Sequence, residues 1–146
     1  MTAFSHMLPV RIYYEDTDHG GVVYHANYLK YMERGRTEFL RTGGIELDEL
    51  EAESGVLFAV TEIRVRYHLP ARFNDALAVE SALTGMRGAR LSFHQVIRRP
   101  ADAALLVEAD VHVACIDRQG KARRIPESVK SVIRRHLTSP HAKEQP

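Results

Sequence analysis

The chain has 146 residues, a formal net charge of +1 at pH 7, 45% hydrophobic residues and 27% charged residues. That length suits one domain around a single core, the composition argues against disorder, and the small charge gives no reason to expect a polyanion partner. One cysteine, Cys115, excludes an intrachain disulfide, and no run approaches the ~20 apolar residues that span a bilayer.

The first ten residues, MTAFSHMLPV, have neither a basic start nor a continuous apolar stretch, so no signal peptide is expected. Residues 9–14 (PVRIYY) are β-branched and aromatic, as a strand requires. Residues 15–23 break that pattern with Asp-Thr-Asp-His-Gly-Gly, which is loop chemistry. From about residue 25 to residue 41 the period becomes helical. Tyr28, Tyr31, Met32, Gly35 and Phe39 form one stripe, and Gly43-Gly44 ends it. Gly35 costs that helix about 1 kcal/mol of propensity, a cost that close approach of a sheet would justify.

Residues 45–54 predict a short amphipathic helix. In residues 59–69, Ala59, Ile63, Val65, Tyr67 and Leu69 alternate with Glu62, Arg64, Arg66 and His68, predicting a half-buried strand that Pro70 stops. Strands follow over 77–86, 90–99 and 105–117, the last with Val107, Ala109, Val111, Val113 and Cys115 on one apolar face. Cys115 is expected to be a buried structural thiol. Residues 126–137 predict a last helix with Pro126 in its first turn, and residues 139–146 predict a frayed tail. The order is strand, long helix, short helix and four long strands. The apolar stripe of the helix must lie on an antiparallel sheet, in an α+β domain over residues 1–138. The edge and open surface of that sheet predict a homo-oligomer.

The chemistry concentrates in residues 13–40, YYEDTDHGGVVYHANYLKYMERGRTEFL. Asp18 stands in a loop that Gly20 and Gly21 let turn sharply, a few residues before the long helix. A helix N-terminus offers unpaired N–H groups and partial positive charge, which can stabilise a developing oxyanion. A neighbouring carboxylate can attack an acyl carbon or deprotonate water. On spacing alone, N-capping by Asp16 or Asp18 is the simpler reading.

The same stretch resembles the signature of the 4-hydroxybenzoyl-CoA thioesterase class of hotdog-fold enzymes, and within it the Tol–Pal-associated acyl-CoA thioester hydrolases of Gram-negative bacteria. The similarity continues through YHLPARFNDAL, MRGARLSF and EADVHVACID, over residues 8–130. It implies a sheet of about five antiparallel strands wrapped around one long central helix, and hydrolysis of an acyl-CoA to acid and CoA without a cofactor. His19 and His25, six residues apart across the Gly-Gly loop, match no common ligand spacing, so no metal is expected. By position, the family's catalytic aspartate falls on Asp18, and the residue whose backbone N–H polarises the thioester falls on His25. Tyr14 matches a tyrosine that positions the carboxylate or the water, and Asp16 a loop-ordering group.

Glu33 lies eight residues beyond His25, roughly 12 Å along the helix, and is expected to pair with Arg36 or another nearby arginine. The phosphates of CoA call for cations, and Arg87 and Arg90 beside Gly88, Lys121, Arg123 and Arg124 after Gly120, and Ser92 are candidates to hold them. With no signal peptide or membrane-spanning run expected, a cytoplasmic location follows, with peripheral association with the inner membrane left open. The family further implies acyl carrier protein as a partner, and a homodimer or homotetramer with its site at the subunit boundary. Nucleic-acid binding is not expected, because the aromatics follow core periodicity. Two rival readings stand beside the thioesterase. One is a hotdog hydratase or dehydratase, and the other is a non-enzymatic module that binds acyl-CoA or acyl carrier protein.

Overall fold

The computed structural model describes residues 5–137. Five strands form one antiparallel sheet: β1 (Ser5–Arg11), β2 (Val56–Tyr67), β3 (Ala76–Arg87), β4 (Arg90–Arg99) and β5 (Ala104–Asp117). Three helices accompany them: α1 (Asn27–Thr42), α2 (Leu47–Ser54) and α3 (Glu127–Leu137). The strand order is β1-β3-β4-β5-β2. β1 and β2 therefore occupy opposite edges, and the chain between them has to cross the whole sheet. It crosses as α1, laid over the inner face.

Alternation along the strands sets that face. Leu91, Phe93, Gln95 and Ile97 of β4, with Val107, Ala109, Val111, Val113 and Cys115 of β5, are buried. Against them α1 buries Tyr28, Tyr31, Met32, Gly35, Phe39 and Leu40, with the Phe39 and Phe93 rings edge to face at 5.4 Å. At roughly 2 kcal/mol for each large side chain, this stripe contributes on the order of 10 kcal/mol of gross burial energy.

The centre of the contact is polar. Gln95 Nε2 donates to the Met32 carbonyl at 2.9 Å and to Ser81 Oγ at 2.8 Å, while its Oε1 accepts Arg36 Nη1 at 3.0 Å. Gly35 makes this possible, since a Cβ there would stand 2.9 Å from Ser81 Oγ and 3.1 Å from Gln95 Nε2. Close approach of the sheet is thus why glycine interrupts the helix. Arg36 is drawn inward, and its burial lowers its pKa. The expected Glu33–Arg36 ion pair is not formed; Glu33 accepts the Thr37 hydroxyl at 3.0 Å instead.

The first strand differs from expectation in its bounds, and the residues expected in the second in their burial. The first strand covers Ser5–Arg11 rather than 9–14, with His6, Leu8 and Val10 half-buried on alternate positions. Pro9 is tolerated because β1 is an edge strand. The strand ends early because the Asp16 carboxylate takes the Tyr13 N–H at 2.7 Å and starts a 3-10 turn over Tyr14–Asp16. The expected half-burial of β2 holds at Ile63 and Val65 but not at Tyr67 and Leu69, which are about half exposed near the end of an unpaired edge. The frayed tail expected over 139–146 lies outside the described residues.

Candidate active site

Between β1 and α1 the chain doubles back as a short hairpin. Thr17 and Val23 form an antiparallel bridge, the Asp18 N–H donates to the Val22 carbonyl at 2.8 Å, and the Tyr24 N–H donates to the Asp16 carbonyl at 2.9 Å. The turn closes when the Gly21 N–H meets the Asp18 carbonyl at 3.0 Å, with Gly21 at φ +83°, where a side chain would be strained. Asp18 Oδ1 accepts the Gly20 N–H at 2.8 Å. Its second oxygen has no partner among the described residues, and the residue is exposed.

Neither acid caps α1, although Asp16 completes a capping box on the 3-10 turn at Tyr13. The start of α1 has Ala26 as its cap residue and no side-chain cap hydrogen bond. Asp16 is a hub instead. Its carboxylate holds Tyr13 while its carbonyl accepts both Tyr24 N–H and Asn27 Nδ2, each at 2.9 Å.

The backbone bonds also fix where the His25 N–H points. The Tyr24 carbonyl is held toward the helix by the Asn27 N–H at 2.9 Å. The peptide bond is trans, so the His25 N–H on the same peptide plane points the opposite way, out of the helix N-terminus. Neither His25 nor Ala26 gives its N–H to a backbone carbonyl among the described residues. On the other side, the His25 carbonyl accepts the Tyr67 hydroxyl at 3.0 Å. Burial raises the pKa of that phenol, which keeps it a donor at neutral pH.

The hairpin rests on the loop after β2. The Val23 N–H donates to the Ala71 carbonyl at 2.9 Å, Val22 bridges Arg72, and the Tyr28 hydroxyl accepts the Ala71 N–H at 3.0 Å. A crevice of 250 Å³ opens beside His25, lined by Val23, Tyr28, Tyr67, His68, Leu69 and Pro70. Asp18 lies outside this crevice, at the turn of the hairpin about 7 Å along the strand from Asp16. Exposed aromatics surround the site. Tyr14 is 77% exposed and stacks on Phe73 at 4.1 Å, and the His25 ring lies between those of Tyr24 and Tyr67. Tyr14 contributes its carbonyl to Thr17, and its ring makes no hydrogen bond to Asp18.

The cationic candidates gather elsewhere. The Gly88 carbonyl accepts the Ile125 N–H at 3.1 Å, which brings the Arg87–Arg90 turn against the segment carrying Lys121, Arg123 and Arg124. A groove of 690 Å³ nearby is lined by Arg118, Arg123 and Arg124. Arg123 is already held by Asp117, Nε to Oδ2 at 3.0 Å, whereas Arg87, Arg90 and Arg124 have no ion pair among the described residues. On β5, Val107 pairs with Tyr67 near His25 and Ala114 pairs with Arg90, so the two regions of one chain lie about 23 Å apart along the strands. Ser92 stands on the sheet face away from α1, bonded to His112 Nδ1 at 2.8 Å.

Tyr67, Tyr28 and Asn27 also shape the site, although no sequence argument singled them out. Asn27 had one legible signal, its place directly after the proposed oxyanion residue. The tyrosines act across 42 and 43 residues of chain, a separation that only the fold reveals.

A five-stranded antiparallel sheet in this order, wrapped around a helix whose uncapped N-terminus follows a carboxylate-bearing hairpin, defines a hotdog-fold domain of the thioesterase type. The chain belongs to the thioesterase-like superfamily, whose family model matches residues 13–133. It is 48% identical over 122 residues to the acyl-CoA thioester hydrolase YbgC of Escherichia coli O157:H7, covering 83% of this chain and 90% of the relative. It is 42% identical over 127 residues to the acyl-CoA thioesterase YbgC of Haemophilus influenzae, covering 86% and 91%. Among solved structures, a probable thioesterase from Bartonella henselae superposes with a TM-score of 0.78 at 37% identity, over 84% of this chain and 99% of that one. A 4-hydroxybenzoyl-CoA thioesterase mutant complexed with 4-hydroxybenzoyl-CoA gives 0.82 at 18% identity, over 88% and 97%, a likeness of fold.

Proposed function

We propose that this chain is an acyl-CoA thioester hydrolase in which Asp18 and the backbone N–H of His25 act on the two sides of one thioester. The relatives at 42% and 48% identity support the activity. The observation that carries the residue assignment is that the segment running into α1 leaves the His25 N–H outward, without a backbone partner among the described residues, and leaves one Asp18 carboxylate oxygen free.

The thioester oxygen accepts the His25 N–H, and the partial positive charge of the α1 N-terminus adds to that stabilisation as the carbonyl becomes tetrahedral. Asp18 adds to the carbonyl carbon or takes a proton from the water that does. Collapse of the tetrahedral species expels the CoA thiolate, which leaves as the thiol after protonation; where Asp18 is the nucleophile, water then hydrolyses the acyl anhydride, releasing the acid and restoring the carboxylate. Tyr14 orders the turn that carries Asp18.

The unpaired β2 edge and the exposed ring of aromatics support a homodimer in which two sheets join, with a tetramer built from two such pairs. The second copy covers the site, and the basic groups at Arg87, Arg90, Ser92, Arg123 and Arg124 bind CoA phosphates across the assembled boundary. Acyl carrier protein is a second carrier of the thioester, and the enzyme works in the cytoplasm, peripheral to the inner membrane. No helix among the described residues is long and apolar enough to cross a membrane.

The test is CoA release from a panel of acyl-CoAs of differing chain length and aromaticity, with wild type and Asp18→Asn side by side. Turnover by wild type and its loss by at least 10²-fold in Asp18→Asn are expected. Saturable binding with no turnover on any substrate would leave only a binding module.

A further inference from the structure

A second pocket borders the 3-10 turn that leads into the hairpin. It measures 330 Å³ and lies between β1, the first half of α1 and the 3-10 turn, bordered by Arg11, Tyr13, Glu15, Asp16, Tyr31 and Arg34. Tyr31 is 2% exposed, and its hydroxyl has no direct hydrogen-bond partner. The ring is locked in the core, edge to face with Tyr28 at 6.1 Å and with the Arg34 guanidinium 5.9 Å above it. The hydroxyl therefore cannot swing out to solvent to satisfy itself.

What it faces is the Asp16 carboxylate. Burial, and then Asp16 itself, raises the pKa of the phenol, so the group stays a neutral donor beside an anion. One carboxylate oxygen of Asp16 is already engaged with the Tyr13 N–H at 2.7 Å. A buried hydroxyl without another partner is costly to leave unsatisfied, and the Asp16 carboxylate on the wall of the same pocket is the acceptor within its reach.

We infer that Tyr31 is a positioning residue: its hydroxyl, donated to the Asp16 carboxylate across this pocket, fixes that carboxylate and with it the hairpin that presents Asp18. The inference rests on the catalytic reading of Asp18 given above. Its lever arm is explicit. Asp16 ties the 3-10 turn, the Tyr24 N–H and Asn27 together, so a tilt of Asp16 moves Asp18 on one side and the His25 peptide on the other. Small misplacements of a reacting group carry large rate penalties.

The experiment is Tyr31→Phe, alone and combined with Asp16→Asn, read by kcat, KM and melting temperature. Phenylalanine keeps the ring in place. If the hydroxyl were only an unsatisfied group in the core, its removal would be neutral or stabilising and leave kcat alone. The inference expects kcat to fall about tenfold, with KM within about twofold and no loss of melting temperature. It also expects no further fall when Tyr31→Phe is added to Asp16→Asn, because the two share one path.

An unchanged kcat, or losses that multiply in the double variant, overturns it. Should Tyr31→Phe fail to fold, a high-resolution crystal structure of the wild type decides. Tyr31 Oη within hydrogen-bond distance of the Asp16 carboxylate upholds the inference, and a hydroxyl bonded elsewhere overturns it. Asp18→Asn, run in parallel, keeps the two readings separate. Full turnover by that variant defeats the catalytic assignment, whereas its loss beside a normal Tyr31→Phe defeats only this inference.

Discussion

Gly35→Ala is the most direct probe of how the central helix is seated. The new methyl carbon would stand 2.9 Å from Ser81 Oγ, 3.0 Å from Val79 Cγ1 and 3.1 Å from Gln95 Nε2, all distances at which something must shift. Alanine regains about 1 kcal/mol of helix propensity, but overpacking costs about 2 kcal/mol and a displaced Gln95 amide about 2 more, for a net loss near 3 kcal/mol. The amide term is real because Gln95 is fully buried and serves the Met32 carbonyl, Ser81 and the desolvated Arg36 at once. For a domain of this size, 3 kcal/mol corresponds to a fall of about 6–12 °C in melting temperature. Thermal unfolding followed by circular dichroism measures it, with urea titration at 25 °C as a check on the free energy. A variant as stable as wild type, or more so, would refute the argument that the sheet grips α1 at this glycine.

Two further predictions concern single side chains. Tyr67→Phe removes the donor on the His25 carbonyl, a bond worth about 1 kcal/mol, and is expected to lower kcat about fivefold in a CoA-release assay. Asp117 has its pKa lowered, first by the Lys121 N–H and then by Arg123 and the Gln119 N–H. A depressed carboxylate contributes stability above its unfolded pKa near 3.9, and that contribution disappears as pH falls through the folded value. Asp117→Asn should therefore be less stable than wild type at neutral pH and lose less stability below about pH 4, as acid unfolding curves will show.

The sequence made the main elements legible for a physical reason. Alternation in 105–117 and the 3.6-residue stripe from Tyr28 to Phe39 are the direct imprint of one buried face, and every residue of those two sets is buried. The glycine at 35 could be read as a close approach because nothing else repays its cost inside a helix. Where periodicity is weak, the reading slipped. β1 is an edge strand whose inward residues are only half-buried, so its aromatic end at Tyr13–Tyr14 looked more strand-like than its actual start at Ser5.

The Glu33–Arg36 pairing failed because spacing on a helix says nothing about a buried glutamine 59 residues away that draws the arginine inward. Within the site, the order Asp18, Gly20, Gly21, His25 was visible as a turn leading into a helix. The orientation of the His25 N–H was not, since it depends on the Asn27–Tyr24 bond and on the Tyr67 hydroxyl. Nor could spacing disclose that the basic clusters at 87–90 and 121–124 meet at the far end of the sheet.

The claim on which the account turns is that a main-chain N–H at position 25 polarises the thioester. Replacing the amide by an ester at that position, with the α-hydroxy analogue of histidine, deletes this N–H and little else, and His25→Ala serves as the control that retains it. The account predicts a fall of about 10²–10³ in kcat for the ester at nearly unchanged melting temperature, with the alanine variant close to wild type. An ester enzyme that turns over acyl-CoA at the wild-type rate would contradict it.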